Sequence, residues 1–323
     1  MGCGAAALVA PFEMKKFALV FPGQGSQSVG MMQPFAESKV VRRVFSEASE
    51  ALGQDLWRLA EKGPAEALSS TVNTQPVMLT AGFAVYSAWL EAGGAPPVVV
   101  AGHSLGEYTA LVAAGVLRFS DAVPLVRFRA LAMQDAVPLG SGAMAAILGL
   151  DDDAVRMACL ETAQGEIVEA VNFNAPSQVV IAGHRTAVER AAEACKAAGA
   201  KRAVMLPVSA PFHSSLLKPA AARLAEYMGR VTFNRPNIPV VNNVDVAILN
   251  EPDAIKQALA RQACNPVRWV ELIGQIAAAG VTAVAECGPG KVLAALTKRI
   301  TPGLQGYAIT DPQSLQQMIE AIK

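Results

Sequence analysis

The segment Gly102-His103-Ser104-Leu105-Gly106 carries the strongest chemical signal in the chain. A G-x-S-x-G spacing makes a sharp turn that thrusts the serine hydroxyl outward, and the flanking glycines remove side chains that would collide there. The apolar run Val98-Val99-Val100 precedes the turn and a helical pattern over about 107–114 follows, closed by Gly115. That is the strand-turn-helix context the turn requires. It leaves the backbone N–H of Leu105 at a helix N-terminus, where it can stabilise an oxyanion. Ser104 is the candidate nucleophile.

A serine hydroxyl hardly ionises at neutral pH and needs a base. The chain offers His103, His184 and His213. His103 adjoins the nucleophile, and neighbouring side chains on such a turn diverge. His184 precedes a helix and reads as a surface residue. His213 lies in Ser209-Ala210-Pro211-Phe212-His213-Ser214-Ser215, just after an apolar strand, where α/β folds place functional groups. It is the expected base. No Asp in a convincing strand-end loop stands between nucleophile and base, which leaves a main-chain carbonyl or an amide to orient the imidazole.

Two other features have chemical potential. The loop Pro22–Gly30 follows a strand, but Ser28 takes the third glycine position of a dinucleotide fingerprint and no Gly-Lys-[Ser/Thr] completes a phosphate loop. It can still lend an N–H to an oxyanion hole. Arg127 and Arg129 both fall at the edges of the stripe Val123, Val126, Ala130, Met133 and Val137. Helical periodicity does not choose between them, and each fits either a snorkelling surface arginine or a buried fork for a carboxylate.

The elements that must position these groups alternate strand and helix, which reads as an α/β fold. Phe17–Phe21 is a buried strand, with helical patterns around 34–52 and 74–92, the second carrying Pro76 in its first turn. A helix capped by Ser120 runs to about Val137, and later strands fall at 240–242 and 282–286. Between them the order is β-α-β-β-α-β, the ferredoxin-like arrangement. Its strands are expected at 143–150, 168–173, 178–182 and 203–208, with helices at 151–163 and 186–198. The expected division is a disordered leader at 1–13, a core of 14–139 and 209–323, and an insert at 140–208.

Composition narrows the function classes. With 52% hydrophobic and 17% charged residues, the 323-residue chain is globular and large enough to need no metal or disulfide staple. Lys+Arg and Asp+Glu are 27 each, which disfavours broad binding to nucleic acid or an anionic membrane. Cys3, Cys159, Cys195, Cys264 and Cys287 form no CxxC pair, so free thiols in a reducing cytosol are expected. No uncharged apolar run approaches the ~20 residues of a membrane helix. The leader has no Lys or Arg before Lys15, unlike a secretory signal, and Ala6 breaks the myristoylation pattern.

Eight motifs follow one another in order: FPGQGSQ at 21–27, GHSLGEY at 102–108, RFRALAMQDAVP at 127–138, GAMAAILGL at 142–150, NFNAPSQVVIAG at 172–183, APFHS at 210–214, RQACNPVRW at 261–269 and ECGPGKVL at 286–293. Over about residues 14–323 the chain resembles the stand-alone malonyl-CoA:acyl carrier protein transacylases of bacterial type II fatty acid synthesis. The resemblance implies a hydrolase-like parallel-sheet core with a ferredoxin-like insert. It implies ping-pong transfer of malonyl from malonyl-CoA, through Ser104, to the phosphopantetheine thiol of holo acyl carrier protein. His213 would be general base and acid, and the N–H groups of Gln24 and Leu105 the oxyanion hole. Arg129, rather than Arg127, would bind the malonyl carboxylate. The main-chain carbonyl of Gln262 would orient His213, making its side chain less critical than its backbone. Met133 and Phe212 would line the pocket, the Phe212 ring restricting branching at the α-carbon. The implied mechanism requires no bound cofactor or metal; a monomer is the default, and composition points to a cytoplasmic protein with no nucleic-acid or membrane partner. The alternatives are a polyketide-type acyltransferase, a serine thioesterase or hydrolase, and a catalytically dead acyl-binding module.

Overall fold

The computed structural model describes residues 15–323, so the leader expected at 1–13, with Cys3, lies outside the described residues. The strands are β1 (Phe17–Phe21), β2 (Val99–Gly102), β3 (Gly142–Leu148), β4 (Val168–Ala175), β5 (Gln178–His184), β6 (Arg202–Met205), β7 (Val240–Val241), β8 (Ala283–Cys287) and β9 (Gln305–Ile309). They form a parallel sheet in the order β7-β2-β1-β8-β9 and an antiparallel one in the order β4-β5-β3-β6.

The central strands β1 and β2 are covered on both faces, which is why they are unbroken apolar runs. Phe17, Leu19, Phe21 and Val100 point into a core shared with the helices Lys39–Leu52, Thr71–Glu91 and Phe119–Asp135. Ala18, Val20, Val99 and Ala101 point the other way, onto Trp269, Leu272, Ile273 and Ile276 of Trp269–Ala278 and Leu293 and Leu296 of Val292–Ile300. Because the strands run parallel, the loops after β1, β2, β7 and β8 leave from one edge, where such folds build their sites.

In the second sheet Ala143, Ala145 and Ile147 pack on Val155, Val188 and Ala191 of the helices Asp152–Thr162 and Arg185–Ala197. Met144, Val180 and Ala182 face the main core instead. The strand order and helix placement are ferredoxin-like, as expected. Strand β4 is bonded to the rest of the chain: Phe173 N–H donates to Val267 O at 3.0 Å, and Val267 N–H to Val171 O at 2.8 Å.

Several boundaries differ from the sequence reading. The stretch 34–52 is a short 3-10 turn at Gln33–Phe35 followed by a helix from Lys39, because Ser38 accepts the Val41 N–H and caps a fresh start. Two short helices, Leu56–Lys62 and Ala65–Ser69, follow, and the helix expected from 74 starts at Thr71, so Pro76 sits one turn deeper than its first turn. Ser120 is inside its helix rather than at the cap, which is Arg118. Strand β6 stops at Met205 rather than Val208, two residues short of Pro207, which has no N–H to give a ladder.

Candidate active site

Strand β2 ends at Gly102, and Ser104 follows with a φ of 53°, a left-handed conformation costly for a residue with a side chain. The turn is clamped by Asn243, just after β7. Its Oδ1 accepts the Ser104 N–H at 2.7 Å and its Nδ2 donates to Gly102 O at 2.7 Å. Both glycines of the motif are required by contact. A Cβ on Gly106 would lie 2.0 Å from Phe21 O, and one on Gly102 would lie 1.9 Å from the Gly106 carbonyl carbon. The helix Gly106–Ala113 therefore starts pressed against β1, which aims its N-terminus at the cleft.

Ser104 Oγ lies 2.7 Å from His213 Nε2, and His213 Nδ1 lies 2.8 Å from the main-chain oxygen of Gln262. A carbonyl only accepts, so Nδ1 carries the proton and Nε2 is free to accept from the hydroxyl. Burial, with the Arg129 charge nearby, pushes the imidazole down to about 3, so the resting ring is neutral. A backbone oxygen here does the orienting that a carboxylate does in many hydrolases.

The hydroxyl opens into a cleft of about 690 Å³ between the two sheets, lined in part by Gln24, Leu105, Arg129, Phe212 and Met144. Among the described residues, neither the Gln24 nor the Leu105 backbone N–H has a protein acceptor. The two loops approach closely because position 23 is glycine: a Cβ there would lie 2.5 Å from His103 O and 3.8 Å from Leu105 N. The Gln24 side chain donates to Thr71 Oγ1 at 3.2 Å and Thr71 bonds Ser209 at 2.9 Å, which anchors this loop over the elbow.

Arg129 is 2% exposed. Its Nη1 donates to Gln75 Oε1 at 2.9 Å, and its Nη2 to Gln262 Oε1 at 3.0 Å and to Ser104 Oγ at 3.1 Å, while the guanidinium lies over the Tyr108 ring. Every one of these acceptors is neutral. A buried cation beside the nucleophile with no carboxylate on it is poised for an anion from outside. Arg127 reaches Gln54 instead, away from the serine.

Other placements depart from expectation. Met133 does not line the cleft; it is fully buried behind Gln75, whose amide points at its sulfur, and Met144 of β3 lines the wall instead. The Gln262 side chain, expected to matter less than its backbone, bonds Arg129, the Ser104 carbonyl and Glu107. His184 is not a free surface residue, for it is half-buried and its Nδ1 accepts the Ile167 N–H at 2.9 Å. His103 diverges from Ser104 as expected and donates to Asn174 Oδ1 at 2.8 Å. The sequence reading missed Gln75, Asn243 and Glu107. Glu107 is buried and accepts the Asn243 N–H and a Gln262 amide N–H, both at 2.9 Å. Burial pushes its carboxyl up to about 7 against those donors and the Arg129 charge. Its place in GHSLGEY was the one available signal, and nothing marked the two amides.

Among the described residues, no group of three or more His, Cys, Asp or Glu could hold a metal ion, and no helix is long and apolar enough to cross a membrane. A serine hydroxyl bonded to a neutral imidazole, two backbone N–H groups without acceptors and a buried arginine with no carboxylate on it are the parts that acyl transfer requires. The acyl transferase domain family matches residues 18–306, and the chain belongs to that family.

Within it, the chain is similar to proteins of one activity. The Malonyl CoA-acyl carrier protein transacylase of Escherichia coli (strain K12) is 56% identical over 308 residues, 95% of this chain and 100% of the relative. The solved acyl-carrier-protein S-malonyltransferase of Burkholderia pseudomallei 1710b superposes with a TM-score of 0.93 at 63% identity, covering 94% of this chain and 99% of that one. A malonyl-transacylase solved in complex with its type II polyketide synthase acyl-carrier protein gives 0.94 at 53% identity, over 95% and 99% of the two chains.

Proposed function

We propose that this chain transfers the malonyl group of malonyl-CoA to the phosphopantetheine thiol of holo acyl carrier protein, supplying fatty acid chain elongation. The observation that carries the reading is Arg129, buried without a carboxylate partner and 3.1 Å from the Ser104 hydroxyl, in a chain 56% identical to a malonyl transacylase over 95% of its length. The hydroxyl and imidazole alone would suit any acyl transfer; the arginine accounts for an acyl group that ends in a carboxylate.

Ser104 Oγ attacks the thioester carbonyl while His213 Nε2 takes its proton, and the oxyanion meets the N–H groups of Gln24 and Leu105. Negative charge arriving beside His213 favours the imidazolium, which offsets the burial that holds the resting ring neutral. The proton leaves with the CoA thiol. The malonyl-serine ester keeps its carboxylate on Arg129 until the carrier thiol enters, gives His213 its proton and takes the acyl group, and Ser104 Oγ leaves with that proton from His213. Two half-reactions through one ester give ping-pong kinetics. Phe212, on the cleft wall, restricts branching at the α-carbon. The reading asks for no resident metal or organic cofactor and treats the protein as a cytoplasmic monomer.

A polyketide carrier is the second acceptor to consider, because the relative solved with such a carrier is 53% identical. Intact mass tests the scheme. Malonyl-CoA should add one malonyl group to the wild type and none to Ser104→Ala, and holo carrier protein should remove it. An adduct that decays equally fast without carrier would make the protein a thioesterase, and no adduct at any sampled time would leave an acyl-binding module.

A further inference from the structure

Arg129 and Glu107, a cation and a carboxyl group, are buried in one site, yet no ion pair joins them. The side-chain amide of Gln262, itself fully buried, stands between: its Oε1 accepts from Arg129 Nη2 at 3.0 Å and its Nε2 donates to Glu107 Oε2 at 2.9 Å and to Ser104 O at 3.0 Å. We propose that Glu107 and the Gln262 side chain form a positioning pair that sets acyl selectivity, Gln262 aiming Arg129 and Glu107 dictating which end of the Gln262 amide faces the guanidinium.

Donors and acceptors fix the orientation of the amide. Glu107 Oε2 accepts both the Gln262 amide and the Asn243 N–H, so the NH2 end of Gln262 must turn toward it, which leaves the carbonyl end for Arg129. A proton on the other oxygen, Oε1, would not change this. A reversed amide would set NH2 against guanidinium, two donors face to face. The interposed amide also explains why the counter-charge is held one residue back. A carboxylate directly on Arg129 would occupy the fork that a substrate carboxylate must enter, whereas a neutral amide oxygen makes a weaker bond and yields to it. The inference deepens the proposed function and rests on Arg129 being the carboxylate site. It is separate from the Gln262 main-chain oxygen that holds His213, which a change of side chain leaves in the backbone.

Kinetics with malonyl-CoA and acetyl-CoA at fixed holo carrier protein test it. Gln262→Leu keeps the side chain's bulk and removes its amide. Malonyl kcat/KM should fall ten- to a hundredfold, mostly through KM, and acetyl should fall less, so that the malonyl-to-acetyl ratio drops at least tenfold. Glu107→Leu, which removes both acceptor oxygens, should lower the same ratio three- to tenfold. In the double variant the ratio should be no lower than in Gln262→Leu alone, because Glu107 acts through the amide. Parallel losses for the two donors, or losses that multiply in the double variant, would overturn the proposal. If neither leucine variant folds, Glu107→Gln decides alone: its carbonyl takes the place of Oε2, so the ratio should stay within twofold, and a tenfold drop would mean that charge and not amide orientation sets selectivity. Arg129→Ala, run beside them, separates the two levels: if it too loses both donors equally, the carboxylate site itself has been misassigned.

Discussion

Replacing Arg129 with alanine asks the most of the proposed function. The side chain is 2% exposed and its nearest partners, Gln75, Gln262 and Ser104, are neutral, so a malonyl carboxylate would be its only direct counter-ion. Truncating one member of a buried, hydrogen-bonded charge pair costs about 2–5 kcal/mol, which converts to a malonyl kcat/KM lower by roughly 30- to 4,000-fold. The truncation also strips donors from Gln75 Oε1 and Gln262 Oε1, but that cost falls on every acyl donor alike. Acetyl has no carboxylate to lose, and the variant no longer presents it with an unpaired cation. Acetyl transfer should therefore bear only that shared cost, and the malonyl-to-acetyl ratio isolates the pair. Steady-state transfer to holo carrier protein from each donor, with intact-mass detection of the acyl-serine, measures it. Equal losses for malonyl and acetyl would refute the reasoning, since they would mean that the guanidinium holds the elbow together and does not read the acyl group.

Two further outcomes follow from the geometry. His213 is neutral because burial lowers its pKa from the usual 6.5 to about 3, so its contribution to stability is complete above pH 6.5 and is lost as pH falls toward 3. Between pH 7 and pH 4 the wild type should lose roughly 3 kcal/mol more stability in urea unfolding than His213→Gln, and equal losses would mean that the ring is not desolvated. Gly23→Ala should slow acylation of Ser104 on the order of 10²-fold, because its Cβ must move from 2.5 Å off His103 O and carries the Gln24 N–H with it. Stopped-flow release of CoA thiol reads this, and wild-type acylation in a folded variant would remove Gln24 from the oxyanion hole.

Local sterics and composition settled the part of this protein that could be read without a fold. The elbow was legible because Gly102 and Gly106 answer contacts that any strand-turn-helix of this spacing creates, and His213 because only three histidines exist to serve the serine. The alternation of buried runs gave both sheets. Strand β9, Gln305–Ile309, escaped because it is a half-exposed edge with a glycine and a glutamine, too little apolar surface to register. Tertiary structure decided the rest. Arg127 and Arg129 lie at opposite edges of one stripe, and only the packing of Phe119–Asp135 against its neighbours turns Arg129 toward Ser104. Asn243 and Gln262 sit 139 and 158 positions from the serine they hold. An amide carries no charge and no periodic signature, so its role exists only once the parallel strands have brought their loops to a common edge.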